Sequence, residues 1–230
     1  MQKSKQIFTR VGAYVFYLFL MFALQVAVAQ TTDCPQYNQI VGQGGVVDNG
    51  MANNANINIQ LFNNSAGSFG SSAVTSTQNA MSGWTAMAGN SQTVSVSTYT
   101  GSLSDTALEA TGTATNPVVV VEQLSPTAAA AQCGGSVACT SPVQDANGTT
   151  VGAIVWVSTD VVNGTPPPNY NSTLDNFLSH EIGAHDDMGW DDCASGASCA
   201  NSDSGNGMYA GSGPTPCDSK QFKGQKKTTC

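Results

Sequence analysis

Between Gln30 and Ser219 the chain contains neither lysine nor arginine, although every one of its 15 acidic residues lies after residue 30. The basic residues are confined to Lys3, Lys5 and Arg10 at one end and Lys220, Lys223, Lys226 and Lys227 at the other. A body of this kind cannot neutralise a buried carboxylate with a side-chain cation. Its acidic groups must be solvated, hydrogen-bonded to neutral donors or matched by a metal ion, because an unpaired buried charge is costly. The same composition argues against nucleic acid and anionic membranes as partners of the body, since neither would meet a cation there. It suits calcium binding, and it suits a soluble exported protein equally well.

Residues 1–29 read as a targeting signal. A basic start is followed by a mostly apolar stretch from Val11 to Leu24, and Ala27-Val28-Ala29 supplies a small-residue cleavage site before Gln30. The apolar run is short for a membrane span, so secretion with removal of this piece is expected, leaving no membrane contact. An uncleaved anchor is the alternative. About 200 residues then remain, enough for one domain with a substantial core. All seven cysteines, Cys34, Cys133, Cys139, Cys193, Cys199, Cys217 and Cys230, lie in this part. In an exported chain they read as disulfides with one thiol left over. Cys133 and Cys139 enclose a short loop and form the expected local pair. A second pair is expected among Cys193, Cys199 and Cys217, and Cys230, at the terminus, is the expected free thiol. Paired CxxC spacing is absent, which argues against a thiolate zinc site.

Periodicity gives an α/β order. Ile57, Ile59 and Leu61 alternate with Asn58, Gln60 and Phe62 as in a strand. Val74, Met81, Trp84 and Ala88 fall near helical spacing within residues 71–88. Val94 and Val96 alternate with serines over 93–98, and Pro117-Val118-Val119-Val120-Val121 reads as a strand buried on both faces. A last long strand is expected over 150–162. Pro166-Pro167-Pro168 breaks the chain, and Ser172-Thr173-Leu174-Asp175 has the form of a capping box, which places a helix start near Ser172. Leu174, Phe177, Leu178 and Ile182 supply that helix with an apolar stripe.

The chain continues as Ser179-His180-Glu181-Ile182-Gly183-Ala184-His185-Asp186-Asp187-Met188-Gly189-Trp190-Asp191-Asp192-Cys193, with the helix expected to end at Gly189 and a loop to follow, and this stretch holds both histidines of the chain. Imidazole is the commonest protein ligand of zinc, and a glutamate beside a ligand histidine is where a zinc hydrolase keeps its general base. The alternative is two surface histidines on a polar helix. Residues 176–193 resemble the active helix of the metzincin zinc peptidases, above all the secreted bacterial matrixin-like forms, whose pattern is HExxHxxGxx followed by His or Asp. Two departures stand out: the second histidine is at i+5 instead of i+4, and Gly189 lies four residues past it instead of three. In a regular α-helix, residues five apart point about 140° away from each other. A one-residue insertion absorbed as a π-bulge restores a shared face, and Ala184 is the expected inserted residue, with Gly183 easing the distortion.

The resemblance implies a twisted mixed sheet with packed helices over about 55–189, the active-site helix, and an irregular, disulfide-bearing lower part over about 190–218. Together these make a metallopeptidase-like domain over 30–218, with a Lys-rich tail at 219–230. It implies His180 and His185 as zinc ligands, Asp191 or Asp192 as the third, Glu181 as catalytic base, and Met208 in the supporting methionine turn. The alternative for Met208 is a core-filling residue, and for Glu181 an ordinary solvated carboxylate. Asp186 and Asp187 are expected to face solvent. The implied activity is zinc-dependent endopeptidase cleavage of peptide or protein substrates, with calcium as a possible further ion. Two other classes stay open: a catalytically inactive metzincin-like binding module, and an exported surface or adhesion protein.

Overall fold

The chain divides into two compact units, Met1–Cys34 and Pro35–Cys230. The computed structural model describes residues 46–87, 89–99, 110–165 and 173–189, all within the second unit. The expected leader, Asp191, Asp192, Met208, the C-terminal cysteines and the Lys-rich tail therefore lie outside the described residues. So does Cys34.

Five strands form one mixed sheet: β1 (Asn56–Phe62), β2 (Thr93–Tyr99), β3 (Val118–Leu124), β4 (Ala138–Gln144) and β5 (Thr150–Ser158), in the order β2-β1-β3-β5-β4. β1, β2, β3 and β5 run parallel, and β4 pairs antiparallel with β5 at one edge. The register pairs Ile59 with Val96 on one side and Val119 on the other, and Val121 with Val155. Successive side chains of a strand point to opposite faces, so these alternating positions assemble one apolar face. Against it pack helix α1 (Ser71–Thr85) and helix α4 (Leu174–Leu178) with its continuation. Trp84, Ile57, Ile59, Leu61, Leu178 and Ile182 are fully buried in this layer. Phe62, Val120 and Ile154 form a smaller cluster on the opposite face with Ala110, so β3 contributes to both, as its unbroken valine run requires.

Three elements differ from the reading of the sequence. The strand expected to reach residue 162 ends at Ser158, whose hydroxyl accepts from Asp160 N at 3.3 Å and starts a four-residue helix, α3 (Thr159–Val162). A local cap here overrides β-branched propensity. Helix α2 (Pro126–Gln132) had no counterpart in the sequence reading. It begins with proline in the first turn, where the missing N–H costs nothing, and Ser125 Oγ accepts from Ala128 N at 3.3 Å. Strand β4 was also missed because it contains Pro142. An edge strand tolerates a residue that cannot donate on its open side. The expected disulfide is present: Cys133, at the end of α2, is bonded to Cys139 in β4, with a Cα–Cα distance of 5.4 Å. Among the described residues no helix is long and apolar enough to cross a membrane.

Candidate metal centre

Thr173 caps α4 in extended backbone conformation, and its hydroxyl donates to the carboxylate of Asp175 in the first turn. The start is thus one residue later than the capping-box reading placed it. From Ser179 to Asp187 the helix widens to π geometry over nine residues, ending in a Met188 N–H donated to Gly183 O at 3.2 Å, five residues back. Gly189, at φ +66°, then stops it in the left-handed conformation expected of a helix-terminating glycine.

The wide register does what the sequence spacing demanded. His180 and His185 lie on one face, their Nε2 atoms 3.2 Å apart and their ring planes at 83°. Both rings are buried, as is Glu181 beside them. The distortion is not a bulge at Ala184 alone, however; it is spread over the whole segment. The reason for Gly183 is also different. A Cβ there would come 2.0 Å from Nε1 of Trp84, so the glycine is the gap into which the indole fits. Trp84 Nε1 donates to Ser179 Oγ at 2.9 Å from the same position.

Asp186 and Asp187 do not face solvent. Both are completely buried, and so is Asp48. The hydroxyl of Thr140, on β4, donates to both carboxylate oxygens of Asp186 at 2.8 and 3.0 Å. Asp187 accepts from Gln92 Nε2. Asp48 accepts from Gly50 N and from Thr150 Oγ1, each at 2.8 Å. Neutral donors thus take the place of the cations the body lacks, which a solvent-facing assignment based on charge alone did not anticipate. Burial pushes the Asp186 carboxyl well above the usual carboxylate range. Thr140 and His185 oppose that shift, while Glu181 and Asp48 add to it.

Residues 48–51 form a strap across the C-terminal end of the π segment. Met51 N donates to Asp187 O at 2.9 Å, and Thr150 N donates to Gly50 O at 3.0 Å. Gly50 takes φ +68°, and a Cβ on it would stand 2.0 Å from Asp187 O. Asp48, Gln92, Thr140 and Thr150 escaped the sequence reading because each lies far along the chain from a residue it pairs with: Asp48 from Thr150, Gln92 from Asp187 and Thr140 from Asp186. The one available signal was the missing cation, which required polar partners for any acidic residue near the core.

Zinc sits 2.0–2.1 Å from imidazole nitrogen, so two such ligands of a tetrahedral ion stand about 3.3 Å apart. The observed 3.2 Å fits that separation. Among the described residues no group of three or more His, Cys, Asp or Glu is arranged to hold a metal ion. What the described residues bring together is a pair of imidazole nitrogens. No family model, curated protein or solved structure matches this chain.

Proposed function

We propose that this protein is an exported zinc-dependent endopeptidase. The reading is supported above all by the two imidazoles converging within 3.2 Å across a helix turn that also carries Glu181. His180 and His185 would hold the ion through Nε2, with Asp191 or Asp192 as the third donor. Zinc would supply Lewis acidity, which makes water nucleophilic near neutral pH and polarises the scissile carbonyl. Glu181 takes the proton from the attacking water onto its carboxylate. It returns that proton to the leaving amine as the C–N bond breaks. Its burial places the carboxylate where a fixed charge acts strongly on a reacting group.

The test is Glu181→Gln in the mature protein, with bound zinc measured by native mass spectrometry and cleavage measured on unfolded casein. The expected result is about one zinc per chain in both proteins, the stoichiometry of a mononuclear site, and cleavage in the parent alone. A parent that binds zinc but cuts nothing is an inactive relative with the same site. A parent that binds no zinc ends the metalloprotein reading, leaving the surface-protein class.

A further inference from the structure

The histidine pair is bracketed by two side chains from separate elements. Immediately before His180, Ser179 Oγ accepts from Trp84 Nε1 of α1 at 2.9 Å, and that donor is completely buried. Immediately after His185, both oxygens of Asp186 accept from Thr140 Oγ1 of β4. Between the two anchors, the indole occupies the space that any side chain at Gly183 would need. Nine residues of π-helix are not a conformation that local sequence favours, since such turns occur almost only as single bulges. Something outside the helix must hold it.

We propose that Trp84 and Thr140 are positioning residues for the metal pair: clamping the π segment at Ser179 and Asp186, they set the separation of the His180 and His185 rings. The first clamp fixes where the wide register begins and the second where it ends, so neither ring can rotate away with its own turn. This deepens the zinc-site reading and rests on it for its effect on metal affinity. The effect on ring separation stands without any metal. Groups that orient a ligand from behind typically change metal affinity 10–100-fold when removed.

Because the chain has only two histidines, histidine-selective isotope labelling gives one pair of ring signals to follow. The variants are Ser179→Ala, which removes the acceptor of the Trp84 indole, and Thr140→Val, which removes the hydroxyl bonded to both oxygens of Asp186; Trp84 and Asp186 stay in place. Trp84→Phe is the larger probe of the first clamp. The metal-free parent should show an inter-ring nuclear Overhauser effect, and its zinc affinity should exceed that of each variant 10–100-fold. The cobalt-substituted variants should show shifted d–d bands. A variant that is folded by circular dichroism, keeps the inter-ring contact and binds zinc as the parent does overturns the clamp it lacks. If Thr140→Val does not fold, Ser179→Ala and Trp84→Phe decide the proposal. A parent with the inter-ring contact but no zinc binding defeats the peptidase reading. The clamp is then judged on the ring contact alone, lost in the variants or kept.

Discussion

Glu122 shows on a small scale how this chain handles charge. It is 8% exposed, and its carboxylate accepts from Trp156 Nε1 at 3.1 Å and from Asn64 Nδ2 at 3.4 Å. Burial raises its pKa above the ordinary 4.5, and the two hydrogen bonds only partly offset that. A carboxyl raised in the folded state binds its proton more tightly there than in the unfolded chain. Its contribution to stability is therefore complete below the unfolded pKa and is lost as pH rises through the folded one. Glu122→Gln keeps an acceptor and removes the titration. In urea melts, the parent should lose stability more steeply than the variant as pH rises above 4.5; equal slopes would show that Glu122 does not contribute. The histidines and Glu181 were legible in the sequence because they share one short stretch. Their polar surroundings were not, because Thr140 lies 46 positions from Asp186 and Thr150 lies 102 from Asp48. No local pattern encodes such pairs.

At the scale of elements, the π segment reconciles a five-residue spacing with a shared face. Deleting Ala184 would return the histidines to i+4, where a regular helix holds them about 40° apart. The shortened protein should keep its zinc affinity within about tenfold, as isothermal titration would report. A complete loss would mean that the wide register itself is required. Gly183→Ala separates two opposing effects. Alanine exceeds glycine in helix propensity by about 1 kcal/mol, whereas forcing a methyl into a filled site costs about 1–3 kcal/mol. With the new carbon 2.0 Å from the Trp84 ring, the second effect should win, and the urea midpoint should fall. β1, β2, β3 and the body of β5 were readable from alternation and β-branched runs. β4 was hidden by Pro142 and α2 by its seven-residue length, too short for helical periodicity to register.

For the molecule as a whole, the mostly parallel sheet agrees with the architecture the sequence suggested, while strand order came only from the structure. The Cys133–Cys139 bond closes a loop of six-residue separation beside the open edge of that sheet. By chain-entropy reasoning, replacing both cysteines with serine should cost about 2 kcal/mol of unfolding free energy and leave the fold intact. Chemical denaturation checks the size, and circular dichroism the fold. The strap at residues 48–51 has a different kind of consequence, one of timing. Synthesis delivers it before any strand, yet its partners are Thr150, which lies 102 positions beyond Asp48, and the end of the π segment, made later still. Contacts this distant in sequence form late, after their loops have closed. The end of the π segment, the latest-made part of the described body, is thus fastened against its earliest-made part. A growing chain carries both ends of that fastening only once Asp187 has been added, so the π segment stays unfastened until nearly all of the described body has been made.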